Sequence, residues 1–212
     1  MTTRRHRHRQ HANPFNIRQS VPALISHQIY GREAPMALDV GFGSGMFLLE
    51  LARRNPQWNI LGLEIRQHLI DDVLGSASQQ NLRNLHAILA NANLHLETLI
   101  ADASLIFVSV NFPDPWFKKR HQKRRVINRT WLDLLARKML PKASLHIMSD
   151  FEPLALDAKA VLAEHPAFHS PQGGDFLPES STGILTEREI THQKRGCPIY
   201  RLHYLRKEIG PG

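Results

Sequence analysis

From Met36 onward, short apolar runs alternate with longer segments of helical period, which predicts an α/β fold with a parallel sheet covered by helices. Two further observations agree. A glycine-rich turn, Gly41 to Gly45, follows the first apolar run, and polar residues that can face a ligand end the first three runs.

Taken in order, Met36 to Val40 is the first strand, and the glycine turn leads into a helix with Phe47, Leu48, Leu51 and Ala52 on its apolar face, ended by Asn55 and Pro56. Trp58 to Glu64 is a second strand, Gln67 to Gln80 a helix and Leu85 to Ala90 a third strand. A short helix from Leu94 to Ile100 precedes a continuous apolar strand from Leu105 to Asn111. Asn128 to Leu140 is helical, with Trp131, Leu134, Leu135 and Met139 on one face. Leu145 to Ser149 is a strand ending at Asp150, and Glu152 to Leu162 the helix after it. Gly173, Gly174, Pro178 and the Ser/Thr cluster to Thr182 mark a loop, Thr186 caps a helix to about Lys194, and Ile199 to Leu205 is the last strand.

The 212 residues suit one domain, 31–212, with a core that needs neither metal nor disulfide. The formal net charge of +8 favours a polyanionic partner. Six arginines, Arg4 to Arg32, precede the first acid, Glu33, so residues 1–30 read as a basic, partly mobile arm. Its histidines, His6, His8 and His11, have no recognisable metal spacing, and no metal is expected. The single cysteine, Cys197, allows no internal disulfide. No apolar run reaches membrane length and no signal-peptide segment follows the Arg/His start, so a cytoplasmic setting and no membrane partner are expected.

The turn Gly41-Phe42-Gly43-Ser44-Gly45 lets a ligand approach the backbone at a helix N-terminus. The third glycine of a dinucleotide fingerprint would fall at Met46, and no Gly-Lys-Ser/Thr follows, which argues against NAD and against a Walker phosphate loop. Ligands of open parallel sheets sit outside the carboxyl ends of the strands. There Glu64 can accept both ribose hydroxyls, Asp39 can accept from an ammonium, and Asn91 can reach an adenine edge. Those are the needs of S-adenosylmethionine.

Asn111-Phe112-Pro113-Asp114-Pro115-Trp116 follows the fourth strand, and the prolines hold Asp114 on a stiff, solvent-facing turn. Six cations crowd the next nine residues: Lys118, Lys119, Arg120, Lys123, Arg124 and Arg125. Such a run suits phosphates.

These blocks, with Leu61-Gly62-Leu63-Glu64, Thr186-x-x-Glu189 and Gly196-x-Pro198-Ile199-Tyr200-Arg201, resemble the bacterial tRNA (guanine-N7-)-methyltransferase family over about Met36 to Arg206. The block Phe112 to Arg125 is the most specific, and the last is weaker alone. The resemblance implies a class I methyltransferase, Rossmann-like fold with a seven-stranded, mostly parallel sheet. It also implies methylation of N7 of a guanine in the tRNA variable loop by S-adenosylmethionine; the sequence leaves monomer or homodimer open. Carried onto matching positions, it puts Asp39, Glu64, Asn91 and Asp114 at the cofactor, together with the turn glycines Gly41, Gly43 and Gly45. Lys118, Asp150, Thr186 and Glu189 fall at the substrate, and Asp114 is the catalytic candidate. Lys119, Arg120, Lys123, Arg124 and Arg125 would track the RNA backbone. The family usually has Glu at Asp39 and often an acid at Asn91; both departures keep an acceptor.

Overall fold

The computed structural model describes residues 21–116 and 125–208. A short helix, α1 (Ser26–Tyr30), leads to β1 (Met36–Val40), α2 (Met46–Arg54), β2 (Asn59–Glu64), α3 (Gln67–Gln79) and β3 (Leu85–Leu89). These are followed by α4 (Ala92–Leu99), β4 (Leu105–Asn111), α5 (Arg129–Lys138), β5 (Met139–Ser149) and α6 (Glu152–Ala163). The chain ends with β6 (Phe168–His169), α7 (Glu187–Lys194) and β7 (Tyr200–Arg206). One seven-stranded sheet has the order β3-β2-β1-β4-β5-β7-β6. Neighbours from β3 through β5 are parallel, and β7 runs antiparallel to both β5 and β6. The expected α/β class and mostly parallel seven-stranded sheet are thus present.

Both faces of the sheet are packed, as continuous apolar strands require. Leu38, Leu61, Val108, Leu145 and Leu202 join α4, α5 and α6 in one core cluster, while Ala37, Ile60 and Phe107 join α2 and α3 in another. The strand order reverses between β1 and β4, and their carboxyl ends open a crevice. That crevice is where the polar strand ends meet.

Three elements depart from the sequence reading. The helix expected to Leu140 stops at Lys138, because the Lys138 ammonium turns inward to the Glu97 carbonyl (2.9 Å) and Asp102 (2.7 Å). Strand β5 begins at Met139, six residues earlier than the apolar run suggested, since Met139 already pairs with Leu105 before the register shifts to Ser144 opposite Phe107. Pro141 and Lys142, the latter at φ +66°, interrupt that pairing and hide the strand's first half from a periodicity reading. Strand β6 is two residues long and carries no periodic signal. Part of the predicted basic arm is ordered against the core. Val21, Leu24 and Tyr30 pack on it, Leu24 donates to the Leu99 carbonyl at 2.9 Å, and the Tyr30 hydroxyl donates to the Ile60 carbonyl at 3.0 Å. Residues 1–20 lie outside the described part.

Candidate active site at the sheet's switch point

A cavity of about 610 Å³ lies over the carboxyl ends of β1, β2, β3 and β4 and reaches the start of α7. It is lined on one side by Gly41, Gly43, Glu64, Arg66 and Asn91, and on the other by Asn111, Phe112, Asp114, Asp150 and Thr186. Gly41, Gly43, Glu64, Asn91, Asp114, Asp150 and Thr186, all singled out from the sequence, therefore meet in one place.

The glycine turn shapes the first wall. Gly43 has φ +60° and a hydrogen placed where a Cβ would meet nothing within 4 Å, so its backbone stays open to a ligand. Its amide donates to Glu64 Oε2 at 3.1 Å. Gly45 has another function: a Cβ there would sit 2.3 Å from Val73 Cγ2, so glycine lets α2 approach α3. Gly45 does not line the cavity.

Glu64 is 2% exposed and its carboxylate is saturated. Beside the Gly43 amide it accepts from the Ile65 amide (2.8 Å) and from both Nε (3.0 Å) and Nη2 (2.9 Å) of Arg66. Asn91 caps α4, its side chain accepting from the Asn93 amide at 2.9 Å, which explains why that helix starts at Ala92 and not at Leu94. Asp39 does not line the cavity; it is fully buried, opposite Gly62 and Ser109 in the neighbouring strands. Its Oδ1 accepts from Ser109 Oγ (2.7 Å) and from Asn111 Nδ2 (3.4 Å), while Oδ2 has no partner among the described residues. Burial, partly offset by the Ser109 bond and reinforced by the charge of Glu64, pushes the Asp39 carboxyl up from its ordinary 3.8 to about 7.

The second wall is the Pro-Asp-Pro turn and the residues that brace it. Phe112 (φ +51°) and Trp116 (φ +45°) at either end adopt left-handed backbone conformations that cost a bulky residue on the order of 1–2 kcal/mol each. Between them Asp114 is exposed and forms no hydrogen bond or ion pair among the described residues. Arg125, expected on the RNA backbone, is instead only 8% exposed, donating from Nε to the Pro115 carbonyl at 2.9 Å and pairing with Asp157 on α6. Its guanidinium ties the end of the basic run to the turn, because a buried cation must find acceptors. Lys118, Lys119, Arg120, Lys123 and Arg124 lie outside the described residues.

Asp150 stands at the end of β5 with Oδ2 gripped by Arg188 Nε (3.0 Å) and Nη2 (2.6 Å) and by His192 Nε2 (3.0 Å). Arg188 lies 5.3 Å over the Phe112 ring, which also stacks with His192. Thr186 and Glu189 form a capping box at the N-terminus of α7: the Thr186 side chain accepts from the Glu189 amide (3.0 Å), and Glu189 Oε2 from the Thr186 amide (3.1 Å). Glu189 is fully buried and does not line the cavity; its other oxygen pairs with Arg201 at 2.8 Å. Thr186 faces the cavity, and Glu189 holds the helix that presents it. Arg66, Arg188 and His192 were missed in the sequence because nothing in their spacing marks them.

These residues fit an adenosyl cofactor carrying an ammonium. A buried carboxylate ends the second strand, the turn backbone is open, and the deeper Asp39 has an oxygen without a partner among the described residues. Four carboxylates and two guanidiniums line the cavity, a balance that favours a cationic ligand. The fold has solved counterparts. The 16S rRNA methyltransferase KamB superposes with a TM-score of 0.59 at 15% identity, covering 86% of this chain and 92% of its own. An O-methyltransferase from Thermotoga maritima does so at 0.55 and 12%, covering 93% and 71%. The fold is that of the class I S-adenosylmethionine-dependent methyltransferases.

A family model described as "Putative methyltransferase" matches residues 33–202. A tRNA (guanine-N(7)-)-methyltransferase of Synechococcus sp. (strain JA-2-3B'a(2-13)) is 41% identical over 199 residues, 92% of this chain and 83% of its own length. The enzyme of that name from Synechococcus elongatus is 39% identical over 209 residues, 94% and 96% of the two chains. The chain belongs to the tRNA (guanine-N7-)-methyltransferase family.

Proposed function

We propose that this chain transfers the methyl group of S-adenosylmethionine to N7 of a guanine in the tRNA variable loop. The observation that carries the reading is the junction of two unlike walls in one cavity, a nucleoside-type wall at Glu64 and an acidic turn at Asp114, beside a run of cations. Glu64 holds the ribose, Asn91 meets the adenine edge, the Gly41 and Gly43 backbone leaves room for the chain of the amino acid, and Asp39 answers its ammonium. When bound, the cofactor supplies an electrophilic methyl on a sulfonium.

Guanine N7 has an in-plane lone pair and no proton, so the protein has no proton to remove at that atom. What remains for its residues is alignment and electrostatics. Asp114 and Asp150 can accept from the adjacent N–H donors of the guanine Watson–Crick edge, and their negative charge favours the cationic base that N7 methylation leaves. Asp114 is the catalytic residue in this reading, and Arg188 and His192 fix Asp150 in place. Lys118 reaches the substrate, while Lys119, Arg120, Lys123 and Arg124 track the tRNA backbone. Arg125 belongs to the turn. Among the described residues no helix is long and apolar enough to cross a membrane, and the reaction is assigned to the cytoplasm, where tRNA is found.

Labelled methyl transfer from S-adenosylmethionine to unmodified tRNA, followed by mapping of the modified base, tests this directly. Label at guanine N7 of the variable loop is expected; label at another atom, or none, would overturn it.

A further inference from the structure

Arg66 donates to both oxygens of Glu64, the acceptors that the proposed function gives to a ribose. Each oxygen of Glu64 already accepts two bonds: Oε2 from the Gly43 amide and Arg66 Nη2, Oε1 from the Ile65 amide and Arg66 Nε. A ribose cis-diol needs one acceptor oxygen for each hydroxyl. The two amides are fixed in the backbone of the glycine turn and of the strand end, so neither can make way. The other two donors belong to one side chain, 38% exposed, which lines the cavity and can swing. Asp114 lines the same cavity, is exposed, and has no hydrogen bond or ion pair among the described residues, so a second acid is in range when Arg66 lets go. Its charge already acts on the Arg66 guanidinium, although the Glu64 bond acts more strongly.

We propose that Arg66 is an internal competitor for the nucleoside: it caps Glu64 when the ribose seat is empty and moves toward Asp114 when a ribose enters. The proposal rests on the reading of Glu64 as the ribose anchor. It has a sign that a supporting role for Arg66 lacks. A residue that merely orients Glu64, or touches the ligand, helps binding; a competitor hinders it.

Calorimetric titration without tRNA and without turnover separates the two, with S-adenosylhomocysteine and adenosine as probes. Arg66→Gln is expected to bind both probes about three- to tenfold more tightly than wild type, because the fraction of molecules with an open seat rises. Arg66→Lys should fall between them, since an ammonium cannot span both carboxylate oxygens. Adenosine is uncharged and controls for the lost cation: a gain confined to S-adenosylhomocysteine would overturn the proposal, as would equal or weaker binding of both probes. The destination is read by a double variant. Asp114→Asn should cost more adenosine affinity with Arg66 present than in the Arg66→Gln background, and equal costs would refute it. Thermal midpoints of the variants confirm folding, and Arg66 is outside both core clusters. Failure of wild type to bind either probe would bring down the cofactor reading and the proposal together, an outcome distinct from unchanged binding in the variant.

Discussion

Replacing Asp39 by Asn should make the protein progressively more stable relative to wild type as pH rises from the acid range to neutrality. The cause is the burial of a carboxyl with only one oxygen satisfied: Oδ1 takes the Ser109 and Asn111 bonds and Oδ2 has none among the described residues. Burial raises its pKa to about 7, from the ordinary 3.8 that an unfolded chain would show. The sign follows from proton counting. Between those values the folded protein holds a proton that the unfolded chain has released, so stability contributed by the protonated carboxyl is complete below 3.8 and is lost as pH rises toward 7. The span is a little over three factors of ten, which at roughly 1.4 kcal/mol each gives a total of ~4 kcal/mol, level above neutrality.

Asparagine keeps an oxygen for Ser109 and cannot ionise. Its amide brings an unpaired donor, at a cost of about 1–3 kcal/mol that does not depend on pH and so cancels from the comparison. Urea unfolding of both proteins near pH 4 and near pH 8 reads the quantity wanted, the change in their stability difference between the two conditions. A change of ~4 kcal/mol in favour of Asn is expected. A flat difference, or one that moves toward wild type, would refute the argument that this carboxyl is protonated in the folded protein. The same proton links to the ligand: an ammonium beside Asp39 favours the ionised form, so wild-type affinity for S-adenosylhomocysteine should rise with pH up to about 7, and that rise should vanish in Asp39→Asn.

Other expectations follow from single contacts. Glu189→Ala leaves Arg201 buried without its partner and removes half of the α7 capping box, so a loss of about 3–5 kcal/mol is expected in urea unfolding. Asp114→Ala should abolish turnover at saturating tRNA and cofactor with little change in tRNA affinity; full turnover would refute its catalytic role. Lys123→Ala should do the reverse, weakening tRNA binding and lowering the slope of log affinity against log salt by about one. Arg125→Ala, by freeing the Pro115 carbonyl and Asp157, should lower kcat while leaving that salt slope unchanged, and a reduced slope would return Arg125 to the RNA backbone.

The fold was legible because its signals are local and repeated. The apolar face of α2 lies at Phe47, Leu48, Leu51 and Ala52 as its spacing required, β4 spans Leu105–Asn111, and Thr186 caps α7. Signals failed where a tertiary contact decided the outcome. The buried Lys138 ends α5 by finding acceptors on α4 and in the loop after it, partners no window of sequence contains. The site follows the same division. Glu64, Asp114 and Asp150 could be placed because each ends a strand or sits in a stiff turn, and the geometry of an open parallel sheet brings such positions together. Arg66, Arg188 and Arg125 could not be told apart from solvated cations, since a guanidinium's role depends on which carboxylate or carbonyl it reaches.

Those three arginines explain how an acidic pocket can serve a polyanionic substrate. Glu64 and Asp150 would repel an approaching phosphate backbone if left bare, yet Arg66 and Arg188 cover them, while Asp39 is held toward its neutral form by burial. Arg125 is turned inward to the Pro115 carbonyl and Asp157, and its bond to that carbonyl braces the turn that carries the exposed Asp114. Acid in the cavity is thus exposed at the Asp114 turn and at Glu187 on α7, and covered at Glu64 and Asp150. A ribose seated on Glu64 would ask Arg66 to move toward Asp114, so on that proposal one guanidinium joins the Glu64 and Asp114 walls as well as the cavity between them.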